Sequence, residues 1–146
     1  MNKINLFSNP FNIFFIFIII SMINILMPVH FISILLAGFV FMAFLYCIKY
    51  KYYYSLFFVI LTFVFIEISN GLNIGTLSLL SFFIYVFLVP KIKYFLASKT
   101  FYLIILIMLF YVGIFLLFAI SGDINQVLIS KIVINYIIDI FLISFI

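Results

Sequence analysis

The sequence predicts an all-α integral membrane protein: a bundle of about six transmembrane helices, with five as the alternative count, and both termini cytoplasmic. Three observations predict it. Hydrophobic residues make up 71% of the 146-residue chain and charged ones 7%, at a mean hydropathy of +1.58, which is more apolar surface than a soluble domain of this size can bury. The apolar residues fall into long segments separated by short polar punctuation. Lysines, which supply all the basic charge, are distributed unevenly between those punctuations.

A helix needs about 20 apolar residues to cross a roughly 30 Å hydrocarbon core. The first candidate covers residues 11–27, with Asn9 suited to an N-cap and Pro10 to the first helical position, where a missing N–H costs nothing. Lys3 ahead of this run resembles the start of a signal peptide, but no small-x-small cleavage site follows, so the segment is expected to remain as a span. The chain then turns at Pro28-Val29-His30. The second to sixth candidates are residues 31–48, 53–69, 75–89, 101–120 and 126–146, all within one polytopic domain, 1–146.

With loops assigned to alternating sides, Lys3, Lys49, Lys51, Lys91, Lys93 and Lys99 share one side, and Lys131, near Asp123, lies on the other. Cytoplasmic loops retain lysine, so the first side is expected to be cytoplasmic and the last span to end there. Tyr50, Tyr52, Tyr53, Tyr54 and Tyr94 flank the inner lysines as interfacial anchors do. The net charge of +4 suits attraction to anionic membrane lipid, and the lack of a basic run longer than two residues argues against nucleic acid as a partner.

Polar residues inside such a chain are the candidate sites. The richest stretch runs from Glu67 through Asn70, Gly71 and Asn73 to Gly75. The 39 residues between Lys51 and Lys91 would make about 58 Å of helix, against roughly 60 Å for two crossings, so the third and fourth spans must turn back with almost no loop. Gly71 and Gly75 suit the positive φ of such a turn, and Asn70 and Asn73 suit local backbone hydrogen bonding. Glu67, one turn before the apex, is open to two readings: a solvated interfacial acid, or one that pairs with a partner helix or ligand.

Asp139 forms a loose helical stripe with Asn135 at i−4 and Lys131 at i−8. A mid-membrane carboxylate there needs a hydrogen-bonding neighbour, and Asn135 is positioned to be one; the alternative is a short, tilted last helix with Asp139 near water. Ser21, Asn24, Ser78 and Ser81 read as helix-packing contacts, Ser33-x-x-x-Ala37 as a small-residue face, His30 as a solvated loop residue and the lone Cys47 as a packing residue. Three scattered acids and one His offer neither a convergent catalytic set nor metal-ligand spacing, so no enzymatic activity, catalytic residue, metal or cofactor is expected.

Residues 67–80, Glu-Ile-Ser-Asn-Gly-Leu-Asn-Ile-Gly-Thr-Leu-Ser-Leu-Leu, followed by an apolar span ending in Pro90-Lys91-Ile92-Lys93, resemble the rod shape-determining protein MreD family. That family carries an acid near the end of one span, a Gly-Leu-x-x-Gly-like turn and a Leu-rich span ending in basic residues; Gly71, Leu72 and Gly75 match the turn and Glu67 stands where the acid is usual. The resemblance implies a non-enzymatic inner-membrane scaffold of the cell-wall elongation machinery, with an MreC-like bitopic protein and peptidoglycan synthases as partners. The rival expectation is a small transporter or the substrate-capture subunit of an energy-coupling transporter, in which Glu67, Asn70, Asn73 and His30 line a pocket above Asp139.

Overall fold

The computed structural model describes residues 10–26, 36–95, 99–121 and 126–144. These residues are all helical apart from two tight turns and the single residue leading into α2, with no strand among them. The elements are α1 (Pro10–Leu26), α2 (Ala37–Tyr50), α3 (Tyr53–Ser69), α4 (Thr76–Phe83), a π-helical stretch (Ile84–Leu88), α5 (Val89–Phe95), α6 (Lys99–Ser121) and α7 (Gln126–Ser144). Because α4, the π stretch and α5 run on without a break, the described residues form six helical rods, one for each apolar segment of the sequence.

Two boundaries differ from the sequence expectation. The predicted second span covers residues 31–48; residues 31–35 lie outside the described residues, and α2 begins after Leu36, whose φ of 66° is left-handed and breaks helical continuity at that point. At 14 residues, α2 is about 21 Å long. The fourth segment runs past Val89 as far as Phe95, because Pro90 falls beside a π turn whose altered hydrogen-bonding pattern lets the rod continue.

Helix α2 is the centre of the bundle. Its Ala37, Gly38, Val40, Phe41, Ala43, Phe44, Leu45 and Cys47 are all buried, which places protein on nearly every face, and it packs against α3, α4, α6 and α7. Aromatic rings knit the middle together: Phe41 stacks on Phe110 of α6 with centroids 4.4 Å apart and planes at 3°. Phe63 of α3 approaches the Phe110 ring at 6.2 Å and that of Phe44 at 6.0 Å. Around this core, α3 buries Val59, Thr62, Phe63, Ile66 and Glu67 at helical spacing. Helix α1 lies on α3 through edge-to-face pairs, Phe14 with Phe58 at 5.5 Å and Phe17 with Phe65 at 6.4 Å.

The opposite, outward faces are also apolar. Phe11, Phe15, Phe57, Ile68, Leu79, Phe101, Ile120, Ile137 and Phe141 are exposed, and they come from α1, α3, α4, α6 and α7 alike. Within α6, residues Phe101–Ile120 form the one described stretch long and apolar enough to cross a membrane by length and composition, at a mean hydropathy of 3.1.

Candidate functional site: two buried carboxylates at helix starts

Helix α3 ends in a Schellman turn. The Leu72 amide donates to the Glu67 carbonyl at 2.9 Å and the Gly71 amide to the Ile68 carbonyl at 3.4 Å, while Gly71 takes φ +69°. Asn70 adds a side-chain bond, its Nδ2 donating to the Ile66 carbonyl at 2.7 Å. Four residues on, Gly75 at φ +93° is the N-cap of α4, so the two glycines hold both corners of the reversal.

Into this reversal points Glu67, which has no exposed surface. Its Oε2 accepts the Gly75 amide at 2.6 Å and its Oε1 the Leu77 amide at 2.6 Å, so the carboxylate closes the start of α4 from the end of α3. The Thr76 hydroxyl stands 3.4 Å from Oε1 and donates at 2.9 Å to the Asn73 carbonyl. A helix start presents unpaired amides and partial positive charge, and both are met here by one acid. Gly75 has no side chain with which to cap the helix itself, and Glu67 takes that task. The carboxylate bound in this way is a fixed structural acceptor, while the apex residues Asn73 and Ile74 remain exposed.

Asp139 repeats the arrangement over a much longer range. It too has no exposed surface, and its Oδ2 accepts the Gly38 amide, 101 positions away in sequence, at 2.8 Å. The Phe39 amide also faces the carboxylate, so Asp139 of α7 addresses the first turn of α2. The Tyr111 hydroxyl of α6 donates to the same Oδ2. Three elements therefore meet at one carboxylate oxygen, and the fit depends on Gly38. A Cβ there would lie 2.6 Å from Asp139 Oδ2, 3.0 Å from Ile107 Cγ2 and 3.1 Å from Tyr111 Cε2.

The other oxygen is different. Asp139 Oδ1 has no hydrogen-bond partner in the protein, and neither does Asn135, whose Oδ1 and Nδ2 are both buried and unpaired. Asn135 shares the stripe with Asp139 that its spacing predicts, but it makes no bond to the carboxylate. Beside this cluster an apolar groove of about 240 Å³ runs between α6 and α7, with Tyr111, Val112, Ile132 and Tyr136 among its walls.

Among the remaining sequence candidates, Ser81 donates to the Leu77 carbonyl at 2.7 Å and Ser78 Oγ is unpaired. Cys47 is buried with a free thiol. His30, Ser33, Asp123 and the side chain of Asn24 lie outside the described residues. Glu67, Asn70, Gly71, Asn73 and Gly75 come together in one hairpin, whereas Asn135 and Asp139 belong to a second site built on α2, α6 and α7. Gly38 and Tyr111 were not among the sequence candidates. The available signal was Tyr111 itself, which stands mid-way along the long apolar run of α6 while Tyr102 lies near its start, since a buried phenol hydroxyl needs a partner. Among the described residues, no group of three or more His, Cys, Asp or Glu side chains is placed to hold a metal ion. No family model, no curated protein and no solved structure matches this chain.

Proposed function

We propose that this chain is a multi-pass protein of the bacterial inner membrane, with six spans and cytoplasmic termini, that serves the wall-elongation machinery as a non-enzymatic scaffold of the MreD kind. The carrying observation is the hairpin. The residues that resemble the family form one rigid reversal in which Glu67 is spent on helix capping and Asn73 and Ile74 are left outward at the apex. A membrane setting is supported by the apolar perimeter, which in water would be a large aggregation-prone surface. In that setting, recognition of an MreC-like bitopic partner proceeds through helix faces, by van der Waals packing and a few polar contacts at the hairpin end.

The test is in-cell crosslinking from a photoreactive residue at position 74, followed by detergent purification and mass spectrometry. Recovery of a bitopic membrane protein together with wall synthases supports the scaffold. Recovery of transporter ATPases and a coupling subunit overturns it in favour of a second reading, a substrate-capture subunit. One observation favours that second reading: the unpaired Asp139 Oδ1 and Asn135 amide inside the bundle are polar groups available to a guest.

A further inference from the structure

The turn between α2 and α3 lies at the end of α3 away from the Glu67 hairpin, and it gathers basic and aromatic side chains. Lys49, Tyr50, Lys51, Tyr53 and Tyr54 are all exposed, Tyr53 at 71% and Tyr54 at 83%. The rings of Tyr46, Tyr50 and Tyr52 pack together behind them, Tyr46 and Tyr50 at 4.4 Å and Tyr50 and Tyr52 at 6.0 Å. Lys49 Nζ sits 5.2 Å from the Tyr50 ring centroid, so its charge is held against this aromatic platform.

The turn itself is another Schellman closure: the Tyr52 amide donates to the Cys47 carbonyl at 2.9 Å and the Lys51 amide to the Ile48 carbonyl at 3.2 Å. Here the left-handed position is Lys51, at φ 59°, where glycine is the residue that adopts the conformation without strain. At the corresponding position of the α3 turn the chain uses Gly71. A charged side chain is thus kept at a place where backbone energetics favour having none.

Among the described residues no acid lies at this turn: Asp139 is bonded to Gly38, at the opposite end of α2. No Asp or Glu occurs between residues 36 and 66, and Glu67 is separated from Tyr53 by most of α3, about 21 Å.

We propose that the α2–α3 turn is a binding site for anionic phospholipid headgroups, in which Lys49 and Lys51 meet the phosphate and Tyr53 and Tyr54 seat at headgroup level. The proposal rests on the membrane reading above and adds a defined lipid contact to it. Lys49 against the Tyr50 ring and Lys51 at the strained corner put two lysines on one short turn, which suits the single net negative charge of a phosphatidylglycerol headgroup rather than the zwitterion of phosphatidylcholine.

Native mass spectrometry of the full chain in detergent, titrated with phosphatidylglycerol or with phosphatidylcholine of the same acyl chains, tests it. The expected result is a preference for phosphatidylglycerol of roughly tenfold or more, reduced about fivefold by Lys49→Gln or by Lys51→Gly and abolished in the double variant. Lys51→Gly removes the charge while relieving the backbone, so it is expected to melt no lower than the parent and a folding defect cannot imitate the loss. Lys91→Gln, on α5, is expected to leave the preference unchanged. Equal retention of the two lipids by the parent overturns the site, and so does a loss in Lys91→Gln equal to that in Lys51→Gly, which would make net charge the cause. Recovery of the chain as a monomer in aqueous buffer without detergent would instead overturn the membrane reading itself, an outcome distinct from both.

Discussion

Glu67 and Asp139 are both fully buried carboxylates aimed at the first turn of a helix other than their own, yet their surroundings differ in completeness. At Glu67 one oxygen takes the amide of Gly75, the N-cap of α4, and the other that of Leu77 within it, and the acid and the amides lie within ten residues of one another. At Asp139 one oxygen takes the Gly38 amide and the Tyr111 hydroxyl, the other takes nothing in the protein, and the amide of Asn135 nearby is unpaired. An unpaired buried polar group costs about 1–3 kcal/mol. The hairpin carboxylate is therefore satisfied within the protein at both oxygens, and at the α2–α6–α7 junction one carboxylate oxygen and the Asn135 amide are not. That contrast separates an acid bonded at both oxygens from a buried acid and amide only partly bonded within the protein.

The largest expected effect breaks the second site. Gly38→Val would drive a side chain into Asp139 Oδ2, Ile107 and Tyr111 at once, combining overpacking with loss of buried hydrogen bonds, and about 3–4 kcal/mol of destabilisation is expected. Equilibrium unfolding in mixed micelles would measure it; a loss below 1 kcal/mol would mean that α2 does not approach α7 so closely. Glu67→Leu comes next, at about 2–3 kcal/mol, because the Gly75 and Leu77 amides lose their acceptor. Hydrogen exchange at those two amides should accelerate in the variant while exchange in α6 stays unchanged.

Tyr111→Phe removes one donor from Asp139 and keeps the ring that packs edge-on to Tyr136 at 6.0 Å. It should cost about 1–2 kcal/mol, read as a lowered Tm. Gly71→Ala meets no neighbour, since nothing lies within 4 Å of its Cβ position, but φ +69° is strained for alanine; about 1 kcal/mol is expected from the backbone alone. The smallest effect has the opposite sign. Asn135→Leu replaces an amide without partners by an apolar group of similar size, and the change should be neutral or stabilising by up to about 1 kcal/mol.

The hairpin was legible because everything that builds it is local. Glu67, Gly71 and Gly75 fall within nine positions, and the geometry of a helix end dictates which residue types can serve there. The sequence left the partner of Glu67 open, since whether an acid near a turn reaches solvent or folds back onto the next helix depends on a few ångströms of approach. The second site was half visible. Asn135 and Asp139 stand out as polar residues on one stripe of an apolar helix, but their partners do not: Gly38 lies 101 positions from Asp139 and Tyr111 lies 28, and no periodicity couples them. The turn at Leu36 was hidden for a related reason. Residues 31–48 are apolar apart from Ser33, and position 36 carries neither the glycine nor the proline that would announce a turn.

The contrast between the two acids is tested most directly by unfolding Glu67→Leu and Asn135→Leu side by side with the parent in the same micelles. The expected result is a clear drop in stability for Glu67→Leu and no drop, or a gain, for Asn135→Leu. A comparable drop in both would contradict it, because the Asn135 amide would then be bonded in the folded protein and the two sites would be equally complete.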